Sequence, residues 1–310
     1  MASRKLNSLF LTLAAFIWGT AFVAQSLGAD GLSACAFTAS RSFIAGFFLL
    51  GLSFVTDKLT EKKQGVKLQK PDKKALKTLI IGGICCGAAL AIASTVQQFG
   101  IQYTTVGKAG FITTLYIIFV PIFGIFIKRK ASPAVYISAV IAMAGLYLLC
   151  VTEKFTISKG DLYVLVCAVF FSFHILIIDR FSPKVNPIKL SCLQFFTAGI
   201  ILLIPTLLFE KPAVSDILAS WKYLLYTGIL SSGIAFTLQI VAQKNINPTV
   251  ASLLMSLESV FSALSGWLIL NQKLSLKELC GCALVFIAII ITQISENKPQ
   301  KDKNHKKQAA

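Results

Sequence analysis

The residue with the clearest chemical potential is Glu258, the lone acid in the apolar stretch Pro248 to Leu270. An ionisable side chain inside such a stretch is costly unless it is paired, protonated or hydrated, which directs it towards a cavity. On a helical wheel Glu258 shares a small, polar side with Ala251, Ser252, Ser256, Ser259, Ser262, Ala263, Ser265 and Gly266, opposite Leu253, Leu254, Leu257, Val260, Phe261, Leu264 and Leu268. Two readings of the serines stay open at this point: close helix packing with hydrogen bonds across the contact, or the wall of a cavity.

Other candidates for binding chemistry lie in neighbouring apolar stretches. Ser94, Gln97 and Gln98 fall in one, and Ser232, Phe236, Gln239 and Gln243 follow the i, i+4, i+7, i+11 spacing of one helix face in another. Amides both donate and accept hydrogen bonds. Together with Trp18, Phe22, Thr113 and Phe171, they suit a neutral or zwitterionic metabolite of some apolar character better than a phosphate ester, which needs several buried basic groups. Arg41 is the one strong basic candidate; it either binds such a solute or ties helices together through helix carbonyls or Glu258. His174, the one membrane histidine, is either a packing residue or part of a proton relay. A coupling or gating role is expected, if anywhere, at Arg41, His174 and Glu258, and Lys108 is expected to snorkel to the interface.

Catalysis finds little support in these residues. There is no H-E-x-x-H, paired-aspartate, G-x-S-x-G or Walker-type motif, and His174 with Glu258 is too sparse a set for a nucleophile and its base. No catalytic residue, metal site or cofactor is expected. The eight cysteines all fall in apolar runs without C-x-x-C spacing and read as small hydrophobes.

The elements that must position these groups follow from composition. Of 310 residues, 55% are hydrophobic and 14% charged, and the mean hydropathy is +0.75, a balance that requires apolar side chains to face lipid. The runs are about twenty residues long, enough for helices across a core of roughly 30 Å and longer than barrel strands. The spacing predicts ten helices: Asn7 to Leu27, Ser33 to Thr56, Leu76 to Tyr103, Val106 to Ile127, Pro133 to Val151, Asp161 to Phe181, Lys189 to Phe209, Trp221 to Asn245, Pro248 to Leu270 and Leu276 to Ile294. The first run lacks an A-x-A-like cleavage site and is kept as a permanent helix.

The net charge of +17 sits almost wholly between helices, so a nucleic-acid partner is not expected. With the amino terminus inside, about 22 of the 30 basic residues are cytoplasmic and about seven external, so the positive-inside rule places both termini in the cytoplasm. The basic loop 57–75 and the tail 296–310 read as solvated cytoplasmic segments, the tail disordered, with anionic lipid as a further partner.

The chain also repeats itself. A shift of about 153 residues places Trp18-Gly19 on Phe171-Ser172 and Phe43, Ala45 and Gly46 on Phe196, Ala198 and Gly199. Beyond the basic loop the shift is about 142, placing Gln97 on Gln239, Ala109 on Ala251, Tyr116 on Glu258 and Gly124 on Gly266. Because each half has an odd number of helices, the two enter the membrane in opposite senses, an inverted repeat suited to opening one central site alternately to each side.

Phe16-Ile17-Trp18-Gly19, the run Gly110 to Pro121, Ser256-Leu257-Glu258, Gly266-Trp267 and Leu274-Ser275 resemble the drug/metabolite transporter superfamily, EamA type. The likeness covers Asn7 to Ile294. It implies two EamA-like repeats, 6–152 and 160–295, with the fourth and ninth helices flanking a central cavity. Family members usually carry an acid after each of those helices; Lys128-Arg129-Lys130 and Asn271-Gln272-Lys273 stand here, so no charge-paired gate is carried over to those loops.

The expected protein is therefore an all-α polytopic carrier in the cell membrane, moving a small organic solute by alternating access, with export of an amino acid or related metabolite leading. Export of drugs, nucleosides or other metabolites is the alternative within the superfamily; a receptor, scaffold or intramembrane enzyme is the alternative outside it. A homodimer is compatible with the sequence.

Overall fold

The computed structural model describes residues 2–66, 72–129, 131–150, 158–271 and 275–297. The expected tail from residue 298 onward, residues 67–71 of the basic loop, Lys130 and residues 272–274 lie outside the described residues.

The described chain is helical, with ten principal helices: α1 (Ala2–Ala29), α2 (Ala34–Gln64), α3 (Lys73–Ile101), α4 (Val106–Phe126), α5 (Pro133–Cys150), α6 (Lys159–Phe181), α7 (Pro187–Glu210), α8 (Trp221–Gln243), α9 (Pro248–Leu270) and α10 (Leu276–Asn297). Among the described residues nine are long and apolar enough to cross a membrane, and α5 is a shorter apolar helix of 18 residues, roughly 27 Å at 1.5 Å per residue. Helices suit this medium because every backbone group must be satisfied without water. Their exposed first turns are capped from the sequence: Asp72 accepts from Ala75, Ser158 and Asp161 form a capping box, and Asn186 accepts from Ile188 and Lys189. Pro133, Pro187 and Pro248 each open a helix, where the missing N–H costs nothing.

The inverted repeat is visible in how helices pair. α2, α4 and α5 each pack against their own repeat equivalents α7, α9 and α10, while α3 with α6 mirrors α8 with α1, and α4 with α6 mirrors α9 with α1. The self-pairs run antiparallel. Along α2 and α7 a Cβ on Gly46 would stand 3.0 Å from the Phe196 ring, and one on Gly199 3.2 Å from the Phe43 ring. These are reciprocal contacts between equivalent residues, as a two-fold axis requires. Along α5 and α10, Ser132 meets Ser295, while Gly145 meets Gly281. Opposite insertion of the two halves follows from geometry as well as from helix count.

The same symmetry ties α2 to α7 at both ends. Glu210, at the end of α7, accepts from Ser33 Oγ at 2.6 Å and from the Cys35 and Ala36 N–H groups at 3.0 and 2.7 Å, capping α2. Its equivalent Asp57, at the end of the apolar part of α2, pairs with Lys189 Nζ at 2.8 Å in the first turn of α7. This pairing helps explain one departure from the sequence reading, since α2 continues past Thr56 to Gln64 with Lys62 and Lys63 in its last turn and Gly65 as a left-handed cap.

Two breaks within helices were not foreseen. α4 is interrupted at Leu115 and α9 at Ser256, within one residue of each other under the repeat shift of 142 and close to where the two-fold axis crosses the pair. The two breaks share a feature: Thr114 donates its hydroxyl to the Phe111 carbonyl in α4, as Ser252, Ser256, Ser259 and Ser262 each donate to the carbonyl three residues earlier in α9, and α4 also carries Pro121, which has no N–H, beyond its break. In α8, residues Tyr226–Ala235 open into π-type turns, with Gly228 and Gly233 against Ile44 and Phe48 of α2.

Candidate functional site

A narrow chamber lies between the halves. Its volume is about 40 Å³, so an organic solute would have to widen it. Of the residues singled out from sequence, Trp18, Phe22, Arg41, Ser94, Gln97, Thr113 and Tyr116 line it from the first half, and Phe171, His174, Phe236, Gln239 and Glu258 from the second.

Ser232, Gln98, Gln243 and Ser256 do not. Gln98 is fully buried behind the wall and donates to the Gln25 carbonyl at 3.1 Å. Gln243 accepts from Gln239 Nε2 at 2.9 Å and donates to the Ile175 carbonyl, supporting its neighbour from outside. Ser256 is buried with its hydroxyl on the Leu253 carbonyl at 2.7 Å, so the serine stripe resolves towards close packing: a Cβ on Gly110 of α4 would strike Ser262. Ser256→Ala is accordingly expected to change solute flux less than twofold, measured in proteoliposomes; a tenfold loss would return Ser256 to the site.

Gln25, Ile175, Ser231 and Met255 also line the chamber. Gln25 had a signal, since Trp18, Phe22 and Gln25 follow i, i+4, i+7 on one face of α1. Ser231 had none, because its carbonyl becomes available to Trp18 Nε1, at 3.2 Å, within the π-type stretch of α8.

Aromatic rings build one wall. Trp18 and Phe236 meet edge-on at 4.8 Å between centroids, and His174 stands 5.7 Å from Phe236 and 6.5 Å from Phe171. His174 Nε2 lies 3.0 Å from Gln194 Oε1, while Nδ1 has no protein partner. On the opposite wall Gln97 Nε2 donates to Thr113 Oγ1 at 3.0 Å. Tyr116 and Glu258 are buried neighbours whose side chains interact across the α4–α9 break, although neither Tyr116 Oη nor Glu258 Oε1 has a partner at full hydrogen-bond geometry. Arg41 is buried and bonded to Gln25 Oε1 at 3.1 Å, and not to the helix carbonyls or Glu258 that the sequence reading had offered.

Charge pairs close the ends. Lys108 does not snorkel freely; its Nζ lies 2.9 Å from Asp161 Oδ2, joining the starts of α4 and α6. At the other membrane face Arg129 Nε lies 2.7 Å from Asp179 Oδ2, joining their far ends. A charge pair therefore does stand after the fourth helix, with the basic partner in the loop and the acid on α6.

Inverted five-helix repeats around a constricted chamber of aromatic and polar side chains, with ion pairs towards both ends, define a multi-pass membrane protein built as a two-repeat helical bundle. The sequence profile of the EamA-like transporter family matches residues 6–151 and 158–294, and the chain belongs to that family, within the drug/metabolite transporters. An uncharacterized transporter of Archaeoglobus fulgidus is 30% identical over 297 residues, covering 94% of this chain and 87% of that protein. The uncharacterized transporter YoaV of Bacillus subtilis is 24% identical over 285 residues, covering 89% and 92%. A solved structure titled "Crystal structure of protein" superposes with a TM-score of 0.74 at 20% identity, covering 94% of this chain and 98% of its own, a likeness of fold. These relatives are named as transporters, which is consistent with a protein that is not an enzyme.

Proposed function

We propose that this protein is a secondary carrier that exports a small neutral or zwitterionic organic solute, an amino acid or a related metabolite, across the cell membrane by alternating access, with both termini cytoplasmic. The observation that carries this reading is the chamber itself: polar and aromatic, set where the two inverted halves meet, and too narrow at rest for free passage. No phosphate-binding loop is present in the sequence, so the driving force comes from a gradient. Counterflow of labelled amino acids, nucleosides and cationic drugs in proteoliposomes tests it. Exchange of at least one unmodified solute is the expected result, and failure of all classes with folded protein would end the carrier reading.

Alternating access also requires that the two ends open separately. α6 is held to α4 by Lys108–Asp161 at one face and by Arg129–Asp179 at the other, each partly exposed pair contributing up to about 1 kcal/mol, or roughly fivefold in an opening equilibrium. A Ser94→Cys probe in the chamber wall, with exposed Cys85 and Cys280 replaced by serine, should then report sidedness. Asp179→Asn is expected to raise labelling by an impermeant thiol reagent severalfold from the face where α1 begins, and Asp161→Asn from the opposite face. Enhancement of both from one face would contradict separate gates.

A further inference from the structure

The repeats place equivalent residues around the chamber, and several equivalent pairs match in kind: Trp18 with Phe171, and Gln97 with Gln239. Two positions break the match with charge. Arg41 corresponds to Gln194 at the shift of 153, and Glu258 corresponds to Tyr116 at the shift of 142. One half thus contributes a cation and the other an acid, and the two are not joined: among the described residues Arg41 makes no ion pair, and neither does Glu258.

The charges also differ in depth. Reciprocal contacts of Gly46 with Phe196 and Gly199 with Phe43 put the two-fold axis between residues 43 and 46 of α2, and the Tyr116–Glu258 contact puts it beside those residues in α4 and α9. Glu258 therefore sits at the axis. Arg41 stands about one helical turn away, roughly 5 Å along the helix.

Around Glu258 the chamber wall holds unmet acceptors. Gln239 Nε2 is used on Gln243, leaving Gln239 Oε1 without a partner. His174 Nε2 lies against Gln194 Oε1, and with the proton on Nε2 the unpartnered Nδ1 is free to accept. Glu258 Oε1, Gln239 Oε1 and His174 Nδ1 are three buried atoms of chamber-lining residues without a partner at hydrogen-bond geometry, Glu258 having only the Tyr116 hydroxyl beside it, and an ammonium group offers three N–H bonds. Arg41 has five donors, one of them on Gln25, and its guanidinium is permanently charged and shaped for a carboxylate.

We propose that the chamber recognises the two poles of a single zwitterion, its ammonium among Glu258, Gln239 and His174 and its carboxylate on Arg41, with an apolar side chain against Trp18 and Phe236. This deepens the carrier reading and rests on it. Each pole relieves a buried group that the protein alone leaves without its counter-charge.

The test uses the full chain, with thermal shift in detergent for binding and counterflow in proteoliposomes for exchange. The probes are L-leucine and L-phenylalanine, their amides, which lack the carboxylate, and their N-acetyl forms, which lack the ammonium. In the wild type at least one parent is expected to bind and exchange, with both of its half-analogues at least tenfold weaker. Arg41→Gln should bring the amide to within threefold of the parent, and Glu258→Gln should do so for the N-acetyl form. A half-analogue equal to its parent in the wild type overturns the proposal without any variant having to fold, as does a tenfold preference that survives in both variants. Neither parent binding, while uridine or ethidium exchanges, overturns it and leaves the carrier reading standing. Binding that discriminates as expected without exchange of any solute supports the recognition and counts against the carrier.

Discussion

Gly19→Val is expected to yield little folded protein and, in whatever folds, to abolish flux. A Cβ at Gly19 would lie 2.4 Å from Phe261 Cβ and 2.8 Å from both the Glu258 carbonyl oxygen and the Phe261 carbonyl carbon. Two of these are backbone atoms of α9, which cannot swing aside as a side-chain tip can. Forcing extra carbon into a packed contact costs about 1–3 kcal/mol, and valine at a backbone-to-backbone contact belongs at the upper end or beyond. The neighbouring Trp18 is hydrogen-bonded to Ser231 and lines the chamber, so displacing α1 also opens the site. Gly51→Val is the control, because nothing lies within 4 Å of a Cβ there. Thermal unfolding followed by size exclusion should separate the two variants; a Gly19→Val protein with wild-type Tm and flux would contradict the packing described for α1 and α9.

Glu258→Gln is expected to reduce solute flux driven by a pH gradient at least tenfold while leaving solute counterflow measurable. The substitution keeps volume and hydrogen-bonding capacity but removes the exchangeable proton. Glu258 is buried beside Tyr116 and Cys167, in a chamber that Arg41 and His174 also line, so those four are the other titratable groups around it. Carrying a proton on a carboxyl that alternates between two faces couples the gradient to the solute, whereas counterflow needs no net proton movement. Gradient-driven flux that survives Glu258→Gln undiminished would remove Glu258 from coupling. The same outcome in Tyr116→Phe is expected and serves as the contrast, since a phenol at this position need not carry the proton.

Much of the chamber was legible before any coordinates. Glu258 declared itself as an acid in an apolar run, Tyr116 as its repeat equivalent, and Gln97 and Gln239 by a shared register; all four line one space. The polar residues that fell elsewhere, Ser232, Gln98, Gln243 and Ser256, lie on faces that periodicity alone could not separate from the chamber side. A helical wheel resolves about 100° per residue, and neighbours such as Gln97 and Gln98 then differ in what stands across from them. Ser256 misled for another reason: a serine in a membrane helix has its own carbonyls within reach, and whether it uses them depends on local bending.

By itself the sequence determined the medium, the number and approximate limits of the helices, the duplication and the opposed insertion of the halves. Each of these is a sum or a spacing along one chain: hydropathy over about twenty residues, self-similarity at a fixed shift, an odd count of crossings. Tertiary structure alone decided which partner each polar group takes. Arg41 chose Gln25 over Glu258, Arg129 met Asp179 where no gate had been carried over, Glu210 capped a helix of the other half, and α4 and α9 broke within one residue of matching points. Those outcomes depend on distances of a few ångströms between different helices, from 16 residues apart for Arg41 and Gln25 to 174 for Glu210 and Ala36, and no property of a single helix encodes them.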